Sequence, residues 1–124
     1  MYVLDSSSII EILRDSEKGK KIIQEVKEED VTSTTICEVE VLIGTKGKTE
    51  EYARKLFSEM YIFEFTKSAA KKSIDIAKEL KREGKSLVGA DIFIAGICKE
   101  QDATLVTCDK GFKEIKGLKV LYID

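Results

Sequence analysis

The sequence predicts an α/β fold: three layers, α/β/α, around a central parallel sheet of four to five strands. Three observations predict it. Short apolar or β-branched runs recur along the chain and alternate with longer segments of helical period. Several of these runs are apolar at consecutive positions, as strands covered on both faces are. Residues suited to starting a helix follow the runs closely, which is the pattern of successive βαβ units.

The elements can be justified in order. Tyr2, Val3 and Leu4 form the first strand, which ends at Asp5. Ser6, Ser7 and Ser8 supply helix-start residues for the amphipathic segment around Ile9, Ile10, Ile12 and Leu13. Arg14, Asp15 and Ser16 read as a break. Ser16 then caps a second helix, expected to run to Glu28 or Glu29 with Ile22, Ile23 and Val26 inward. Residues 31–34 are rich in β-branched residues and read as the second strand. Thr35 with Glu38 fits a capping box for a third helix. Its expected stripe is Ile36, Val39 and Ile43, and it ends near Gly44.

A polar linker, 45–48, precedes a fourth helix from about Thr49 to Met60, carrying Tyr52, Leu56 and Met60 at helical spacing. Residues 61–65 form the third strand. Thr66 caps a fifth helix with Ala69, Ala70, Ile74, Ala77 and Leu80 as its stripe. Lysines in the last turn and Gly84 close it. Residues 91–101 are strongly apolar and read as a buried helix, with small residues at Ala90, Ala95 and Gly96 for close packing. Residues 104–107 form the fourth strand, followed by Asp109. A short helix over 110–115 and a last strand over 119–123 finish the chain.

Length and composition bound the rest. The 124 residues suffice for one domain, residues 1–124, and not for two. No run of about 18 apolar residues is present, so no transmembrane helix is expected. Charge arrives at Asp5, so no signal peptide is expected either. Three cysteines with no C-x-x-C pair point to free thiols in a cytoplasmic chain. There is no histidine, which excludes His-based triads and His-ligated zinc. The net charge is -2, so no global basic field marks a nucleic-acid partner. The lysines of the fifth helix read as a solvated face rather than an RNA track.

The chemistry lies in the acids placed at element ends. Asp5 and Asp109 follow apolar strands, and strand carboxyl ends share one edge of a parallel sheet, where ligands bind. Asp91 opens the buried helix, and Glu38 stands in the first turn of the helix after the second strand. Each has a purely structural reading as cap, capping-box partner, dipole residue or turn former. Their shared edge is what favours a site. Bare carboxylates brought together repel, and a divalent cation relieves that repulsion. Oxygen ligands without His or Cys select a hard ion, Mg²⁺ or Mn²⁺. Glu40 is the rival to Glu38, and the two face opposite ways on a helix, so only one can line the site.

Four stretches carry a resemblance. They are V-L-D-S-S-S-I-I, T-S-T-T-I-C-E, V-G-A-D-I-F-I-A-G and T-L-V-T-C-D-K-G-F. In this order and over the whole chain they resemble the PIN-domain family, specifically VapC-type toxin ribonucleases of toxin–antitoxin pairs. The resemblance implies a metal-dependent endoribonuclease. It makes Asp5, Glu38, Asp91 and Asp109 the acidic site residues, with Asp5, Asp91 and Asp109 on the metal and Ser7 and Thr107 in support. It further implies an RNA substrate, a cognate antitoxin and a homodimer. Two departures stand out. The family's glycine four residues after its glutamate matches Gly44 if the acid is Glu40, not Glu38. The family's further Asp after the last acid is replaced here by Gly111. The alternatives are a catalytically idle module of the same fold, binding RNA or protein, and an Asp-based phosphoryl-transfer domain. The latter wants a second acid at the position of Ser7.

Overall fold

The computed structural model describes residues 1–27 and 30–124. Five strands, β1 (Tyr2–Leu4), β2 (Val31–Thr34), β3 (Tyr61–Phe63), β4 (Thr104–Thr107) and β5 (Lys119–Tyr122), form one sheet in the order β3-β2-β1-β4-β5. Every neighbouring pair is parallel. The helices are α1 (Ser6–Leu13), α2 (Glu17–Val26), α3 (Thr35–Ile43), α4 (Gly47–Ser58), α5 (Lys67–Arg82) and α6 (Gly89–Gln101). The expected end of the second helix at Glu28 or Glu29 lies outside the described residues. The expected last short helix is a 3₁₀ turn, Lys110–Glu114.

The strand order explains the layers. The chain steps from β1 to β2 to β3 in one direction, and right-handed crossovers put α1 to α4 on one face. It then reverses to β4, which puts α5 and α6 on the other. Accordingly α1 touches α2, α3 and α4, while α5 lies along α6. The result is the three-layer α/β/α arrangement. Val3, Leu4, Leu105 and Val106 of the two central strands are almost wholly buried, together with Ile9, Ile22, Ile94, Phe112 and Ile123. Burying one such side chain contributes roughly 1.5–3 kcal/mol, which is why the central strands read as continuous apolar runs.

Local choices match the elements. Asp15 adopts a left-handed φ of 53° at the break after α1. Ser16 and Thr66 cap α2 and α5 by accepting from the amides of Gly19 and Ala69. Gly96 lets α6 approach α5. A Cβ there would overlap the Ser73 hydroxyl and lie 2.7 Å from the Ala69 carbonyl oxygen. Ser73 in turn donates to that carbonyl at 2.8 Å.

Helix phase departs from expectation in several places. On α3 the expected stripe faces outward: Val39 and Ile43 are 57% and 81% exposed, while Cys37 and Val41 are buried. Thr34, not Thr35, is the N-cap, accepting from the amide of Cys37. The expected Thr35–Glu38 capping box therefore does not form. The helix begins one residue before its expected start, and Glu38 moves out of the third position. Tyr52, Ile74 and Ile23 are likewise exposed, and Ala53, Phe57, Ser73 and Ile76 fill the inner faces of α4 and α5. The three cysteines are free, with Cys37 and Cys98 buried. Burial pushes the Cys37 thiol up to about 11, as befits core filler. Among the described residues no helix is long and apolar enough to cross a membrane.

Candidate active site

The reversal of strand order falls between β1 and β4, and open α/β sheets bind ligands at such a switch point, beyond the strands' carboxyl ends. Asp5 stands there. Its amide still bonds the Val106 carbonyl at 3.1 Å, so β4 holds its backbone as well as its side chain. Ser8 ties the same carbonyl from α1 at 2.7 Å.

Asp5 is 3% exposed and fully partnered. Its Oδ1 accepts from the Ser8 amide at 2.9 Å and the Ser7 hydroxyl at 2.7 Å. Its Oδ2 accepts from the Thr107 hydroxyl at 2.5 Å. Capping α1 and lining the site are therefore one geometry rather than rival readings. Burial raises the Asp5 pKa, and the bonds from Thr107, Ser8 and Ser7 oppose the rise. Thr107, itself buried, accepts from the Asp109 amide at 2.9 Å, and Ser7 accepts from the Cys108 amide at 3.0 Å. Ser7 and Thr107 thus join the turn after β1 to the turn after β4.

Asp109 caps the 3₁₀ turn, accepting from the Gly111 amide at 2.9 Å. A Cβ at position 111 would sit 3.1 Å from Asp109 Oδ1 and 3.2 Å from a Leu87 methyl. Glycine at 111 thus leaves that oxygen room and leaves the site without a further acid.

Asp91 stands in the first turn of α6, partly buried, with no side-chain hydrogen bond or ion pair among the described residues. Its pKa is pushed up to about 6, first by desolvation and then by the charges of Asp109, Glu40 and Asp5. These three neighbours show which acids the fold brings together. Glu40 belongs to the group, and its Oε1 accepts from the Ser6 hydroxyl at 2.5 Å. Glu38 is not among the charges acting on Asp91, and it makes no side-chain bond among the described residues. Glu40 stands two residues and about 200° further round α3 than Glu38, and of the two it is the one whose charge acts on Asp91. The Glu40-to-Gly44 spacing was the signal for it. Ser6 carried no sequence signal beyond its place in the serine turn.

No lysine or arginine pairs with Asp5, Glu40, Asp91 or Asp109 among the described residues. Nor do any three carboxylates there already form a ready-made cage for an ion. The donor set nevertheless suits one. It is all oxygen and uncompensated by cations, and it includes one carboxylate with no protein partner.

A parallel α/β/α sandwich with an acidic, cation-free cluster at its switch point is the class of protein that fold and site define. A family model described as PIN domain matches residues 2–118. The chain belongs to the PIN domain family. No curated protein matches the chain in sequence. Solved structures do. It is similar to FitAcB from Neisseria gonorrhoeae at 25% identity and TM-score 0.84, covering 98% of this chain and 96% of that one. It is similar to VapBC2 from Rickettsia felis, bound to a DNA fragment from their promoter, at 21% identity and TM-score 0.83, covering 99% and 98%. A toxin–antitoxin complex from Klebsiella pneumoniae matches at 20% identity and TM-score 0.84, covering 100% and 98%. At the lower identities the likeness concerns the fold.

Proposed function

We propose that this chain, acting as one domain over residues 1–124, is the ribonuclease toxin of a toxin–antitoxin pair and hydrolyses RNA phosphodiester bonds with Mg²⁺ or Mn²⁺. The observation that carries the reading is the PIN domain match over residues 2–118, supported by the charges of Asp109, Glu40 and Asp5 acting on Asp91 with no lysine or arginine paired to any of the four among the described residues. Such a cluster is unfavourable alone and is relieved by a hard divalent ion.

Asp5, Asp91 and Asp109 would hold the ion. When bound, it supplies Lewis-acid stabilisation of the phosphate and an activated water. The chain's own residues do the rest. Ser7, Thr107 and the Ser8 amide fix the Asp5 carboxylate in one orientation, so little reorganisation is needed on binding. Asp91, without a protein partner, is the acid most open to an incoming cation. Glu40 stands at the rim, suited to orient a water and take its proton.

The similar structures support one of the partners. Several similar structures are titled as VapBC or toxin–antitoxin complexes, which supports a small antitoxin partner. Val39 and Ile43, one turn apart and exposed on α3, suit a covered protein interface, consistent with a homodimer or an antitoxin contact. A cytoplasmic setting fits an RNA substrate and free thiols.

Single-turnover cleavage of a structured RNA tests the reading. Wild-type protein should cleave with Mn²⁺ and stop on chelation, and Asp5→Asn should be inactive with unchanged circular dichroism. Cleavage by Asp5→Asn at the wild-type rate, or wild-type cleavage undiminished by chelator, would refute it.

A further inference from the structure

We propose that Ser6 is a positioning residue that holds Glu40 at the site. The inference rests on the nuclease reading above. Ser6 is the first residue of α1, directly after Asp5, and its hydroxyl donates to Glu40 Oε1 at 2.5 Å across the contact between α1 and α3. That distance is typical of a hydroxyl bonded to a carboxylate. The bond has no part in capping α1, since the Asp5 carboxylate already accepts from the Ser8 amide.

Glu40 needs such a tether. It is exposed on α3, and a free glutamate side chain there would sample many rotamers. The Ser6 bond engages one carboxylate oxygen and leaves the other without a protein partner among the described residues. The charge so held bears on Asp91. One serine turn therefore sets two acids from two elements: Asp5 through Ser7 and Ser8, and Glu40 through Ser6. Ser6 also lies beside the Cys37 thiol, a weak acceptor that does not account for the short bond to Glu40.

The test is a Mn²⁺ titration by calorimetry on wild type, Ser6→Ala, Ser6→Thr, Glu40→Ala and the Ser6→Ala/Glu40→Ala double variant, with urea unfolding on each. Ser6→Ala should weaken Mn²⁺ binding about threefold, because the untethered Glu40 carboxylate is free to swing away and its charge then bears less on the ion. Ser6→Thr should restore most of that loss, and the urea midpoint should change little in both, because the bond is exposed. In the Glu40→Ala background, Ser6→Ala should weaken binding no further. Two results would overturn the role: a Ser6→Ala protein that titrates like wild type, or an equal loss in the Glu40→Ala background. Wild-type protein that binds no Mn²⁺ and cleaves no RNA would instead refute the nuclease reading, and this role with it. Wild type that does both, with Ser6→Ala unaffected, refutes this role alone.

Discussion

Replacing Asp91 by asparagine should stabilise the metal-free protein. The side chain has no hydrogen-bond partner to lose among the described residues, and its charge is what the fold resists. Its pKa rises from 3.8 to about 6 in the folded chain. At about 1.36 kcal/mol for each tenfold change in proton affinity, that difference would be worth ~3 kcal/mol unscreened. Asp91 is only partly buried, so solvent screens much of the repulsion. The carboxylate also gains about 0.5 kcal/mol from the start of α6, which asparagine forfeits. The expected gain is therefore about 1 kcal/mol at pH 7, or a rise in Tm of about 4 °C for a chain of this length.

The sign with pH follows from the same shift. The folded state binds the Asp91 proton more tightly than the unfolded state does. The carboxyl imposes no penalty below the unfolded pKa, and the penalty grows as pH rises through about 6. Asp5, raised by burial, adds a contribution of the same sign. Urea unfolding in chelator at pH 7 and pH 4 reads both effects. The Asp91→Asn advantage should be present at pH 7 and nearly absent at pH 4. Equal stabilities at pH 7, or a variant less stable than wild type, would refute the claim that the acids crowd Asp91.

Three further outcomes are expected. Glu40→Gln should lower single-turnover RNA cleavage far more than Glu38→Gln, and the reverse order would return Glu38 to the site. Thr107→Val removes both the donor to Asp5 and the acceptor of the Asp109 amide inside the core; it should destabilise by roughly 1–3 kcal/mol in urea. Gly96→Ala should destabilise by about 1–3 kcal/mol, read as a lower Tm, because α6 must back away from Ser73 and the Ala69 carbonyl.

These expectations separate what was legible in the sequence from what was not. The strands were legible because they are short runs of apolar or β-branched residues, and a polar residue directly after such a run has a single edge to face. Asp5 and Asp109 were read from their places after strands and Asp91 from its place at the start of the buried helix, and the charges of Asp5 and Asp109 act on Asp91. The phase of α3 was not legible. The segment from Ile36 to Ile43 is apolar on every side but for its two glutamates, so Val39 with Ile43 reads as well as Cys37 with Val41. That ambiguity left Glu38 and Glu40 as rivals. The cap added to it, since Thr34 and Thr35 are equivalent as sequence. Only the backbone turn at the end of β2 selects Thr34. The order of strands was also invisible, and with it the switch point between β1 and β4.

The most direct test of the account is a Mn²⁺ soak of the crystalline protein, with the ion located by its anomalous scattering. The account predicts a peak bonded to the carboxylates of Asp5, Asp91 and Asp109, with Glu40 at its rim and Glu38 away from it. A Mn²⁺ peak at another acidic patch, with this edge empty at saturating ion, would contradict it.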